Sequence, residues 1–370
     1  MTNLDHQVEG KRKEIHTDAY PMSIGEIINL YLDGELDIHP EFQRIYRWNL
    51  IQKSRLIESL LLGIPLPSFF VAQREDGVWD VVDGLQRLST IFSFLGIYKN
   101  DAGDIESPLR LTGTEYLPSL EGKCWSEDFD DSNHLSKELQ RAFKREKIDL
   151  KIIKKESDEY TKYELFQRLN TFGSSLSDQE VRNCLLIMIN KEMYSWLSDL
   201  ANNDHFINVF PLTTKQIDEQ YHLELVLRFL ALKDVDVARV KGGIDIGEFL
   251  TKRMKELATD TSYNMPTEGR KLLKTFKILD LTLGENAFKK FQDGKYTGAF
   301  SLSIFEVIGL GLGFNIDSYD ENNTIHLDKI REVSKSLLSN SNFEKNSGSG
   351  ARASSRLPHI LPMGRDLLRI

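Results

Sequence analysis

VVDGLQRLSTI, residues 81–91, is the stretch on which the reading of this chain turns. Val81 and Val82 complete a strand-like run, VWDVV, and Asp83-Gly84 is a turn pair. LQRLSTIFSFLG then carries helical spacing as far as Gly96. A strand passing through Asp-Gly into a helix leaves the helix's unpaired N–H groups and the positive end of its dipole at the turn. Acidic side chains are favoured there, yet this first turn holds Gln86 and Arg87. An arginine at that end is misplaced electrostatically unless an anion lies beside it, and Gly84 would let the backbone approach that anion closely.

Two more arginines, Arg44 and Arg47, precede the same predicted sheet in EFQRIYRW. Three guanidinium groups converging on one helix start would repel one another unless a polyanion is bound. The residues therefore point to a phosphate site at Arg44, Arg47, Gly84 and Arg87. The competing reading is an ordinary Asp-Gly turn with a solvated arginine.

Around this stretch the pattern is that of an α+β unit. Residues 1–18 are polar and aperiodic and read as a flexible arm. Ordered structure is expected from Ser23, where Ser23-Ile24-Gly25-Glu26 has the form of a capping box. Its helix places Ile24, Ile27, Ile28 and Tyr31 on one face and stops at Gly34. Asn49 is the expected cap of the helix LIQKSRLIESLLLG, SFFVAQ a strand, and Glu75-Asp76-Gly77 the hairpin turn back into VWDVV. Further on come a helix, LSKELQRAFKRE, and a strand alternating at Ile148, Leu150 and Ile152. Ser177-Asp178-Gln179-Glu180 forms a second capping box. From 181 to about 340 the spacing is mostly helical, with no tandem repeat. SLSIFEVIGLGLGF, 301–314, is apolar nearly all round and is expected in a core. NSNFEKNSGSGARASSR reads as a low-complexity loop before a short terminal helix.

IHPEFQRIYRW, the helix with IESLLLGIPLP, the hairpin and VVDGLQRLSTI together resemble the ParB/sulfiredoxin superfamily. They are most similar to the bacterial family of the GmrSD type IV restriction enzyme N-terminal domain. That family's Asp-Gly-Gln-Gln-Arg motif is matched by Asp83-Gly84-Leu85-Gln86-Arg87, with Leu85 in place of the first Gln. Its second motif is matched by LFQRLNTFGSSLSDQEVRN, with Asn170, Gly173, Glu180 and Arg182 in position. The resemblance covers residues 20–190 and implies a nucleoside-triphosphate site with Mg²⁺. Gly84 would cradle phosphate, Arg87 neutralise it, and Arg44, Arg47 and Thr90 complete the phosphate contacts. Gln86 would orient a phosphate or a water, and Asp83 would hold Mg²⁺ or the attacking water. If the missing Gln is catalytic, the site binds nucleotide and turns it over poorly. The capping box alone accounts for most of the second motif without function.

Composition narrows the classes. A net charge of -9 argues against a simple affinity-driven nucleic-acid binder. The basic run RAFKREKIDLKIIKK, 141–155, reads as a solvated helix face followed by an exposed strand edge. No apolar run is long enough for a membrane span and no secretory h-region is present, so a cytoplasmic protein is expected. Cys124 and Cys184 are distant from each other and from metal-ligand spacing, and read as reduced thiols. Neither Glu219–His222 nor His359 in LPHILPMG has the companions a metal centre needs, so no metal site is assigned to the protein's own side chains. LPHILPMG reads as a turn into the last helix. GLGLG, 309–313, lacks the third position and preceding strand of a dinucleotide fingerprint, and no Walker-type P-loop is present.

The expected organisation is an arm (1–18), a ParB/sulfiredoxin-like nucleotide-binding domain with a small mixed sheet (19–190), a helical domain (191–345), and a Ser/Gly/Arg loop with a terminal helix (346–370). The expected function is binding and hydrolysis of a nucleoside triphosphate in a DNA-related process such as phage defence or restriction. The alternative is a non-catalytic module that binds nucleotide or DNA phosphate and regulates a separate nuclease or defence-system subunit. Own nuclease activity is not expected.

Overall fold

A computed structural model describes Leu4 and residues 16–38, 48–100, 103–157, 177–347 and 352–370. The chain falls into two compact units, Met1–Ser175 and Leu176–Ile370. The first is α+β and the second is mostly helical.

Five strands build the sheet of the first unit: β1 (Thr17–Ser23), β2 (Leu36–Asp37), β3 (Phe69–Gln73), β4 (Trp79–Asp83) and β5 (Lys147–Ile153). Their order is β1-β5-β3-β4-β2. The sheet is mixed, with β1 antiparallel to β5, β5 parallel to β3, β3 antiparallel to β4, and β4 parallel to β2. Ile148, Leu150 and Ile152 of β5 share a buried core with Phe69, Val71 and Val81. Among the described residues the unit also holds α1 (Ile24–Leu32), α2 (Leu50–Leu61), α3 (Leu85–Leu95) and α4 (Lys137–Arg145). Tyr31 of α1 stacks on Phe92 of α3, centroids 4.1 Å apart. Buried Glu58 of α2 accepts hydrogen bonds from the Tyr116 and Leu117 N–H groups at 3.1 and 3.0 Å and from the Thr114 hydroxyl, which fastens an otherwise irregular segment to the helix.

Three expectations change here. The ordered chain starts before Ser23, because β1 begins at Thr17 within the expected arm. The first five residues of β1 are exposed and lack an apolar alternation, so its main-chain ladder to β5 carries the pairing. Ser23 accepts from Glu26 N at 3.2 Å without a return bond to its own N–H, so only half of that capping box forms. The strand in the basic run is no edge. β5 has β1 on one side and β3 on the other, while Lys147, Asp149 and Lys151 keep one of its faces wet.

The second unit contains α5 (Asp178–Ile189), α6 (Lys191–Ala201), α7 (Asp204–Val209), α8 (Thr214–Asp218), α9 (Tyr221–Leu232), α10 (Ile246–Thr259) and α11 (Met265–Leu283). A two-stranded ribbon, β6 (Lys290–Gln292) with β7 (Lys295–Thr297), follows. Then come α12 (Leu302–Ile304), a π-turn at Phe305–Gly309, α13 (Leu310–Asn315), α14 (Thr324–Ser336), α15 (Ser341–Asn346) and α16 (Ala353–Leu367). α5, expected in the first domain, belongs to this unit: its Arg182 donates to Glu224 of α9 at 2.7 Å. LPHILPMG is the interior of α16, not a turn. Its prolines are carried inside the helix because Leu357, Ile360, Leu361 and Met363 are buried, so packing overrides propensity. The helix also takes in Ala353–Arg356 of the expected loop.

GLGLG is a packing device. A Cβ at Gly311 would overlap the Gly364 carbonyl, and a Cβ at Gly364 would overlap that of Val307, so two backbones meet where no side chain fits. Gly311→Ala should therefore lower stability by about 1–3 kcal/mol, as over-packing does. Calorimetric melting of the full chain checks this, and an unchanged melt would show that the helices separate freely.

Candidate functional site

The start of α3 is built by a bulge, a glycine and an arginine. Phe70 pairs with Asp83 but Val71 pairs with Val81, so Val82 is an extra residue that turns the end of β4. Gly84 follows with φ of +99°, a conformation that penalises any residue with a Cβ. A Cβ there would also overlap the ring of Phe69, which is fully buried. Gly84 is thus demanded by its neighbour as well as by its turn. The N-cap of α3 is this glycine, which has no side chain to accept from the first turn.

Arg87 turns inward. Its Nη1 donates to the Pro67 carbonyl, and its Nη2 to the Ser68 carbonyl at 3.3 Å and to Asp83 Oδ2 at 3.1 Å. The guanidinium lies over the Phe69 ring, 4.1 Å from its centroid. The expected duty of this group was phosphate neutralisation; its observed partners are protein atoms that tie the start of β3 to the end of β4.

Burial pushes the Asp83 carboxyl up, and Arg87 and the Gly84 N–H pull it partly back. Burial likewise lowers the Arg87 guanidinium, with Asp83 opposing. Both groups are biased toward their neutral forms, which suits a proton acceptor at Asp83 better than a solvated aspartate would. A carboxyl raised by folding holds its proton more tightly in the native state, so its share of stability falls as pH rises through its titration.

Gln86 and Ser89 stand apart. Gln86 Oε1 and Ser89 Oγ are buried and have no hydrogen-bond partner among the described residues. Thr90, fully buried, donates to the Gln86 carbonyl at 2.7 Å. Of the other expected site residues, Arg44, Arg47, Asn170 and Gly173 lie outside the described residues. Glu180 closes the capping box with Ser177, accepting from its N–H at 2.6 Å. Arg182 is buried beside Glu224. Sequence reasoning missed Phe69, the Pro67 and Ser68 carbonyls, and Ser89. Nothing in a one-dimensional pattern ties residues 67–69 to residues 83–87, although the Ser89 position on a helix face lined by Gln86 and Ser93 was visible.

Residues 24–187 match the family model of the GmrSD restriction endonuclease, N-terminal domain. This segment belongs to that family. The matched residues include both motifs, the second of which continues into α5. No curated protein matches the chain, and no solved structure does. Among the described residues no group of three or more His, Cys, Asp or Glu side chains could hold a metal ion, and no helix is long and apolar enough to cross a membrane.

Two outcomes are expected of this GmrSD-type turn. Gly84→Ala should cost about 1–3 kcal/mol from backbone strain, with the Phe69 overlap added, read from calorimetric melting. In Arg87→Gln, the Asp83 carboxyl should titrate still higher, followed by carboxyl ¹³C chemical shifts. A downward move would show that the ion pair does not hold the acid.

Proposed function

We propose that the GmrSD-type segment binds a nucleoside triphosphate at the start of α3 and hydrolyses it in support of DNA restriction or phage defence. The observation that carries this reading is an uncapped helix start, formed at a glycine, whose first turn contains a buried amide oxygen without a partner. Main-chain N–H groups at such a start suit phosphate oxygens.

In this reading Gly84 and the N–H groups after it meet the phosphates, with Arg44 and Arg47, outside the described residues, as the cations the sequence offers for them. Arg87 acts through what it holds: it fixes the Asp83 carboxylate and the Pro67–Ser68 backbone. Asp83 accepts the proton of the attacking water or contacts Mg²⁺ that arrives on the nucleotide. Mg²⁺ bound to phosphates needs only one or two protein carboxylates, which suits a turn with a single one. Gln86 orients the water, and Thr90 secures the helical turn beneath it. The ion would supply charge neutralisation at the phosphates when bound.

A second reading is favoured by Leu85 and by the engagement of Arg87 with protein acceptors. In it the segment binds nucleotide or DNA phosphate without turnover and regulates a separate nuclease. Calorimetric titration with each ribonucleoside triphosphate and Mg²⁺, paired with phosphate-release assays with and without DNA, separates the two. The expected result is saturable binding of at least one nucleotide and turnover that Gln86→Ala lowers about tenfold or more. Binding without turnover under every condition would leave the regulatory module, and no binding of any nucleotide would end both nucleotide readings.

A further inference from the structure

We infer that Ser89 and Gln86 jointly hold one O–H group, either a ribose hydroxyl of the nucleotide or the water that attacks it. The inference rests on the nucleotide reading above and adds Ser89 to its site. Ser89 is 1% exposed, and its Oγ has no hydrogen-bond partner among the described residues. A buried serine inside a helix ordinarily donates to the carbonyl four residues earlier. Thr90 does this with Gln86 at 2.7 Å and Ser59 with Arg55 at 2.8 Å, but Ser89 does not. No described protein atom replaces the missing bond, and orphaned buried polar atoms are rare enough to need a cause.

The second orphan is placed to share that cause. Gln86 and Ser89 are three residues apart on α3, so they occupy one face with Cβ atoms about 5–6 Å apart. That spacing is short enough for one small group set between them to bond both. The chemistry narrows what it is. As its amide is oriented, Gln86 offers an oxygen that only accepts, while the Ser89 hydroxyl donates and accepts. With Oε1 turned inward an O–H group satisfies it directly, whereas a phosphate oxygen would require the amide to flip. An O–H group donates to one and exchanges with the other. The phosphates therefore belong at the Gly84 backbone, with the hydroxyl-bearing part of the nucleotide or the water set against this face.

The test is Ser89→Ala in the full chain. Removing a hydroxyl that lacks a protein partner should leave the ligand-free melting temperature equal or higher. The tightest-binding ribonucleoside triphosphate is then titrated beside its 2′-deoxy and 3′-deoxy forms. If a ribose hydroxyl is held, Ser89→Ala weakens the parent nucleotide about tenfold, and one deoxy form loses that sensitivity. If water is held, the three dissociation constants stay together while kcat falls about tenfold. Gln86→Leu should move the same quantity, and the double variant should lose less than the product of the two. Unchanged Kd and kcat across all three nucleotides would overturn the inference while the nucleotide reading survives. A wild-type chain that binds none of them would remove that reading, and this inference with it.

Discussion

The inward guanidinium of Arg87 is the tie on which the shape of the GmrSD-type turn depends. A buried cation is tolerable only when its donors are met, and Arg87 meets two main-chain carbonyls, one carboxylate and one aromatic face. Each partner restricts another. Phe69 supplies the face and leaves no room for a Cβ at position 84, and the glycine there lets the chain swing from β4 into α3. The bulge at Val82 brings Asp83 opposite Phe70. The motif is thus a structural frame. A preorganised frame is what binding at a helix start needs, because groups already held lose little freedom when the ligand arrives.

The frame divides labour among the motif residues. Arg87 and Asp83 satisfy each other, whereas Gln86 and Ser89 stay unsatisfied on the helix they share. Unmet polar atoms cost stability, and these two lie on the helix where nucleotide binding is proposed.

The helical unit shows the same economy of buried charge. Glu306 is fully buried and is held by Arg356 at 2.6 and 2.9 Å, while Arg182 and Arg228 share Glu224. Removing one member would strand a charge in the core. Arg182 is accounted for by this arrangement and Glu180 by its capping box, so these two residues of the second motif have structural duties wherever else they act.

Much was legible in the chain because it is local. The DG hairpin, the alternation of β5, the Gly96 stop of α3 and the 177–180 capping box each depend on residues within a few positions of one another, and all are found. The sequence by itself determined the α+β start, the helical continuation, and the strand–glycine–helix turn with its family. Tertiary structure alone decided that β1 joins the sheet despite exposed side chains, that two prolines sit inside α16, and that Arg87 points to Pro67 and Ser68. Those outcomes arise from main-chain pairing, burial and a cation's need for acceptors, which join residues distant in sequence and leave no periodic trace along it.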